Sequence, residues 1–264
     1  MYIAVIPAHN EGENIEKVLQ NLIPCNFQHI LLVANGCNDF TEKKALRLMN
    51  KLNLELLSFP VPLGLDIPRA IGAAYAKKYR PAGIIFIDGD MTGEITPSLH
   101  ELLQGLKQGL DLALTNCYPT PPLSSDLADI VFKYRKKVNE KLGLLQQIGL
   151  GTPSHGPHAI SAHLLSQIPI KALAIPPLVL AFAAQNNFHI DIATTISHDL
   201  LGSPMRSTEH AENIAATIIG DCQQALSYLE GTPLENVLQS SGSPSVYRDA
   251  RRFDLLEHFL SFFH

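Results

Sequence analysis

The heptapeptide Ile84-Ile85-Phe86-Ile87-Asp88-Gly89-Asp90 sets four large apolar residues in a row, then stops on two carboxylates separated by one glycine. So short an apolar run, bounded by turn residues, reads as a strand with both faces buried, the pattern of a parallel strand inside an α/β domain. The same design recurs upstream. Residues 3–7 (Ile-Ala-Val-Ile-Pro), 30–33 (Ile-Leu-Leu-Val) and 54–59 (Leu-Glu-Leu-Leu-Ser-Phe) are strand-like, and each precedes a polar loop and a stretch with apolar residues at helical spacing. Asn10, with Glu13 three residues on, predicts a capped helix start, and Ile15, Val18, Leu19 and Leu22 supply its buried stripe. Ala45, Leu48, Met49 and Leu52 do the same for a second helix. Pro68, Ile71, Ala74 and Tyr75 mark a third, which stops at Tyr79-Arg80-Pro81. Strands alternating with helices predict a mostly parallel sheet covered by helices.

Further on, Thr96-Pro97 opens a helix with Leu99, Leu102, Leu103 and Leu106 inward, and residues 112–115 return as a strand. The rhythm then breaks. Turn-rich stretches at 119–125, 149–158 and 197–205 have the length of functional loops. Residues 208–231 read as a long helix with Ile214, Ile218, Cys222, Ala225 and Leu229 in register. The Gly/Ser/Pro-rich stretch 232–244 reads as a linker. It leads to an amphipathic segment, 246–264, with Phe253, Leu256, Leu260 and Phe263 at helical spacing, suited to packing on the domain or to forming a homodimer. One domain over 1–231 and an extension over 232–264 are therefore expected.

Composition narrows the function classes. With 46% hydrophobic and 17% charged residues in 264, the chain can bury a sizeable core and lacks the profile of disorder. Against 25 Asp+Glu stand 20 Lys+Arg, so no basic excess is available to neutralise a nucleic-acid backbone, and nucleic acid is not an expected partner. The basic runs at 133–137 and 248–252 are short and read as solvated helix faces. Four cysteines without a CxxC pair argue against a thiolate metal site or a disulfide framework. No apolar run approaches the ~18 residues of a spanning helix. No signal-peptide pattern opens the chain, so a cytoplasmic location is expected.

In an open parallel sheet, ligands bind outside the carboxyl ends of the strands, where loops and helix N-termini converge. Four strand ends carry polar residues here: 7–11 (Pro-Ala-His-Asn-Glu), 34–39 (Ala-Asn-Gly-Cys-Asn-Asp), 64–69 (Gly-Leu-Asp-Ile-Pro-Arg) and 88–90 (Asp-Gly-Asp). The last is the most informative. Two carboxylates at a strand mouth can place one on a divalent cation and the other on a ribose or hydroxyl, which is the oxygen chemistry of Mg²⁺ or Mn²⁺ bridging phosphates. Asp and Gly also dominate ordinary turns. No GxGxxG follows the first strand, which removes a dinucleotide-binding reading.

Taken in order, these four segments resemble glycosyltransferase family 2, whose GT-A fold is a Rossmann-like mixed sheet flanked by helices. The resemblance is strong over residues 3–90 and looser to about residue 220. It implies an enzyme that takes a hexose from a nucleotide-diphosphate sugar, UDP- or GDP-linked, to a small acceptor with a divalent cation. By that resemblance Pro7, Ala8, Asn10 and Glu11 hold the base and ribose, Asn35 and Gly36 close around the base, Arg69 reaches the diphosphate, and Gly64 belongs to the same nucleotide-sugar-binding set. Asp88 lies nearer the ribose, Gly89 joins the nucleotide-sugar-binding set, and Asp90 takes the metal and is a catalytic candidate. Residues 201–210 (Leu-Gly-Ser-Pro-Met-Arg-Ser-Thr-Glu-His) are similar to the glucosyl-phosphoglycerate and mannosylglycerate synthase branch, where a late histidine joins the metal shell. His210 is thus the expected second ligand, with His198 in reserve. Residues 152–158 (Thr-Pro-Ser-His-Gly-Pro-His) fall where the family has its acceptor loop, which makes His155 and His158 catalytic candidates.

Two departures stand out. Ala34-Asn35 replaces the family's common acidic residues, and the stretch where inverting members carry a catalytic carboxylate reads Ala174-Ile175-Pro176-Pro177-Leu178. An inverting mechanism needs a base near the acceptor hydroxyl. The options are retention with phosphate-assisted attack, a base from His155, His158, Asp191 or Asp199, or loss of catalysis. A sugar-phosphate nucleotidyltransferase and a non-catalytic sugar-nucleotide-binding protein are the rival readings.

Overall fold

The computed structural model describes residues 1–120, 126–204, 207–239 and 251–263. Parts of the expected loops at 119–125 and 197–205, of the linker and of the start of the C-terminal segment lie outside these residues. Seven strands form one sheet: β1 (Tyr2–Ala8), β2 (His29–Asn35), β3 (Leu54–Phe59), β4 (Gly83–Phe86), β5 (Leu112–Asn116), β6 (His158–Ser161) and β7 (Ile190–Thr195). Their order is β3-β2-β1-β4-β6-β5-β7. β6 runs antiparallel to both β4 and β5, and the other pairings are parallel, giving a mixed sheet.

The helices that carry the argument are α1 (Ile15–Leu22), α2 (Thr41–Leu46), α3 (Ile67–Ala76), α4 (Thr96–Lys107), α5 (Asp126–Lys141), α6 (Leu145–Ile148), α7 (Ala162–Gln167), α8 (Pro176–Gln185), α9 (Thr208–Leu229), α10 (Leu234–Gln239) and α11 (Phe253–Leu260). Alternation along β1 sends Ile3 and Val5 into a core under α3 and α8, while Ala4, Ile6 and Ala8 enter a second core under α1 and α4. Burial on both faces is why these strands read as unbroken apolar runs.

Several local expectations are corrected. Asn10 does not cap α1: it sits at φ 56°, and its Oδ1 accepts from the Asn38 N–H at 2.9 Å, while α1 begins after Asn14. The Glu11 carbonyl accepts from the Asn14 and Ile15 N–H groups, so the loop from 8 to 14 folds over before the helix starts. Met49 is exposed although Ala45, Leu48 and Leu52 are buried. The basic run at 133–137 is not uniformly solvated, because Arg135 is buried at 3% exposure. Arg251 in the run at 248–252 is likewise buried.

Within the stretch read as a linker, 234–239 is a helix whose Val237 is fully covered. α11 lays Leu256, Phe253, Leu255, Phe259 and Leu260 against the α3 side of the sheet, with the Phe59 and Phe259 rings 6.0 Å apart. Its apolar face is thus used within the chain, and Phe262 and Phe263 remain exposed. Among the described residues no helix is long and apolar enough to cross a membrane.

Candidate active site

The carboxyl ends of β1, β2 and β4 open onto a cleft of about 660 Å³, inside the size range of small-molecule sites. Pro7, Ala8, Asn10, Glu11, Asn35, Gly64, Arg69, Asp88, Gly89, Asp90 and His210 all line it. Eleven residues singled out from separate stretches of sequence therefore share one wall system. Gly36 does not line it. It stands behind, at φ 62°, where an added Cβ would meet Pro62 N at 2.5 Å.

Asn35 turns its side chain to the next loop rather than into the cleft. Its Oδ1 accepts from Leu63 N–H at 2.5 Å, and its Nδ2 donates to the Gly64 carbonyl at 3.1 Å. An acidic residue here could make only the first of these bonds, so the Ala34-Asn35 departure fits a structural staple. His9, which sequence reasoning passed over, pairs its Nδ1 with the Asn35 carbonyl at 2.5 Å. Glu11 is buried and accepts from Asn14 Nδ2 at 2.7 Å.

Arg69 reaches the cleft, but two of its arms are engaged. Nη1 donates to Asp66 Oδ1 at 2.6 Å and Nη2 to Asp88 Oδ1 at 2.5 Å, while its buried Nε has no hydrogen-bond partner. Burial opposes the charge on this guanidinium, yet Asp88 and Asp66 outweigh it and hold the pKa above the usual arginine range. Asp66 was not foreseen. It occupies the left-handed region at φ 61°, a conformation that no residue pattern announces for an aspartate.

The Asp88-Gly89-Asp90 turn is pinned from two sides. Gly89 N–H donates to the Pro7 carbonyl at 3.0 Å, tying the turn to β1. On the other side, Gly93 N–H donates to the Leu201 carbonyl at 2.9 Å and Thr92 Oγ1 to the Gly202 carbonyl at 2.7 Å, which docks the loop before α9. Ser203 Oγ donates to Asp90 Oδ1 at 3.2 Å. His210 lies in the first turn of α9, its N–H capped by Ser207 Oγ at 3.2 Å, and its neighbour one turn on, Ile214, also lines the cleft.

Among the described residues no group of three or more His, Cys, Asp or Glu side chains is gathered tightly enough to hold a metal by itself. The lining is nonetheless strongly acidic: Glu11, Asp66, Asp88 and Asp90 against the single guanidinium of Arg69.

The two acceptor-loop histidines part company. His158 heads β6 in the sheet interior, stacked on Phe86 at 4.9 Å, and does not line the cleft. Burial, with Arg69 adding to it, pushes its pKa down to about 3. His155 belongs to an aromatic stack with Tyr118 and His198, its Nε2 lying 3.3 Å from the Tyr118 hydroxyl and 3.0 Å from His198 Nδ1. Burial holds it well below the ordinary imidazole range, and Arg135, His198 and Arg69 push the same way. Beside this stack lies Arg135, which interacts with the Tyr118 hydroxyl while its Nε and Nη1 are buried without a hydrogen-bond partner. Of the other candidate bases, Asp191 Oδ1 accepts from Ile192 N–H at 2.7 Å on β7, and Asp199 is exposed in the loop before α9. Residues 174–178 are buried at the start of α8 and supply no carboxylate.

The family model for glycosyl transferase family 2 matches residues 3–143, and no curated protein matches the chain. Among solved structures, glucosyl-3-phosphoglycerate synthase from Mycobacterium tuberculosis in complex with Mn²⁺, uridine diphosphate and phosphoglyceric acid superposes with a TM-score of 0.65. It is 19% identical, with 88% of this chain and 79% of that chain covered. Its complex with Mn²⁺, UDP-glucose and phosphoglyceric acid gives 0.64 at 19% identity, covering 88% and 80%. The complex with Mg²⁺ and UDP gives 0.60 at 19%, covering 84% and 79%. At this identity the likeness is one of fold.

Proposed function

Because the chain belongs to glycosyl transferase family 2, we propose that this glycosyltransferase moves a hexose from a UDP- or GDP-sugar to a small hydroxyl acceptor, using Mn²⁺ or Mg²⁺. The observation that carries this reading is the convergence of Asp88, Asp90 and His210 with the β1 and β2 loops on one acidic cleft. A diphosphate entering among four carboxylates and one guanidinium already paired to two of them needs added positive charge. One carboxylate and one imidazole, with phosphate oxygens to complete the shell, suit Mn²⁺. Such a cation, when bound, neutralises charge on the departing diphosphate. The neighbouring synthase complexes, which hold Mn²⁺ or Mg²⁺ with UDP, support the same reading.

The chain's own residues have distinct parts in it. Ser203 orients Asp90, Arg69 holds Asp88, Asn35 fixes the wall at 63–64, and the loop from His198 to Ser203 shields the turn from water. The acceptor faces the Tyr118, His155 and His198 stack. A buried guanidinium with unmet donors is costly unless an anion meets it, so Arg135 favours an acceptor bearing a carboxylate or phosphate. With no carboxylate at 174–178 and His158 inside the sheet, retention of configuration is the reading we adopt. Donor hydrolysis and UDP affinity with Mn²⁺, measured for wild type and Asp90→Ala, test the proposal. A loss of at least tenfold in both is expected, and equal values would remove the metal role.

A further inference from the structure

We infer that Arg251 is a positioning residue of the donor cleft, and that docking of residues 251–263 is coupled to nucleotide binding. The inference rests on the cleft's being the donor site. Arg251 has a side chain 1% exposed and lies far along the chain from the cleft loops, yet its donors reach them. Nη1 and Nη2 grip the two oxygens of Asp221 on α9 at 2.7 and 2.9 Å. Nη2 also donates to Asp66 Oδ2 at 2.9 Å, and Nε donates to the Leu65 carbonyl at 3.0 Å. The next residue, Arg252, donates its N–H to the Leu63 carbonyl at 2.9 Å.

Leu65 and Asp66 line the cleft, and the other oxygen of Asp66 takes Arg69, which in turn holds Asp88. The five side chains Asp221, Arg251, Asp66, Arg69 and Asp88 thus form one continuous ionic chain from α9, through the C-terminal segment, to the Asp-Gly-Asp turn. Each guanidinium bridges two carboxylates, and planar fork geometry makes such bridges directional. Asp66 is kept in its left-handed conformation between Arg251 and Arg69. Without Arg251, Asp66 would lose one of its two guanidinium partners and the Leu65 carbonyl its side-chain donor, leaving the backbone bond from Arg252 N–H to the Leu63 carbonyl to hold this loop to the C-terminal segment. The loop facing the nucleotide would then be free to shift, and with it the angle at which Arg69 presents Asp88. Linkage requires the converse as well: a ligand that favours the ordered cleft favours the docked C-terminal segment.

The test uses the full chain with UDP and Mn²⁺. Hydrogen exchange of residues 251–263 is measured in wild type with and without the ligand, and calorimetry gives UDP affinity for Arg251→Lys, Arg251→Gln and Leu256→Ala. Leu256 is the fully buried residue of α11 and lies outside the ionic chain, so its variant loosens the same helix without touching the bridge. We expect slower exchange at 251–263 on UDP binding, a loss of at least tenfold in affinity and a matching rise in donor KM for Arg251→Gln, with partial rescue in Arg251→Lys. Leu256→Ala, compared at a similar fall in Tm, should change affinity less than threefold. Unchanged exchange on binding, or equal affinity loss in Arg251→Gln and Leu256→Ala, overturns the coupling while leaving the donor site standing. Wild type that binds none of UDP, GDP and ADP with Mn²⁺ removes the donor reading and the coupling together.

Discussion

Replacing His158 with phenylalanine separates a packing histidine from a catalytic one. The ring lies in the sheet, stacked on Phe86, with Nδ1 unpartnered, and its pKa is pushed from 6.5 down to about 3. The sign follows from proton counting. Between pH 6.5 and about 3 the unfolded imidazole is protonated and the folded one is not, so the unfolded state binds more protons and stability falls as the pH falls. Above 6.5 both are neutral and the effect vanishes. Each pH unit inside the window costs about 1.4 kcal/mol, so at pH 5 wild type should stand about 2 kcal/mol below its neutral-pH plateau on account of this ring alone. His155 contributes in the same direction, which is why the readout is a difference between two proteins. Urea unfolding of wild type and His158→Phe at pH 7.5, 6, 5 and 4.5 gives it: whatever offset phenylalanine introduces at pH 7.5, the gap should shift in the variant's favour as the pH drops. Parallel curves would refute the claim that the fold holds this ring neutral. Turnover is the companion measurement. A packing role leaves kcat within a few-fold of wild type, whereas a hundredfold loss with unchanged Tm would return His158 to the chemistry.

Two further outcomes follow from the same geometry. Gly89→Ala places a methyl group 2.9 Å from both the Pro7 carbonyl oxygen and Ala8 Cβ, a backbone atom and a β-carbon fixed to the backbone that cannot swing aside, so it should cost about 1–3 kcal/mol of stability and weaken UDP binding by prying the turn from β1, as unfolding and calorimetry will show. Arg135→Met removes a buried charge with two unmet donors; it should raise the Tm of the ligand-free enzyme and raise the KM for a phosphorylated acceptor while leaving the KM for a neutral one unchanged. A lowered Tm would mean that the guanidinium is already satisfied.

How much of this was legible in the sequence depends on the range of the interaction responsible. The strands β1 to β5, the helices between them and the acidic turn after β4 were readable, because apolar periodicity and the turn chemistry of Asp and Gly act over a few residues. The convergence of those strand ends on one cleft also followed, since a parallel sheet brings its carboxyl ends to one edge. β6 was missed: His158-Ala159-Ile160-Ser161 is too short and too mixed to announce a strand, and only its two neighbours in the sheet make it one. The roles within the cleft were decided by tertiary structure in the same way. That Asn35 faces a loop, that His158 is core while His155 is stacked on Tyr118, and that Arg135 and Arg251 leave the surface where basic runs usually sit are settled by which distant segment lies within three or four ångströms. Local pattern determined the elements and their chemical inventory. Packing between residues far apart in the chain determined which of those side chains meet, because burial and hydrogen bonding are properties of an assembled site and have no local signature.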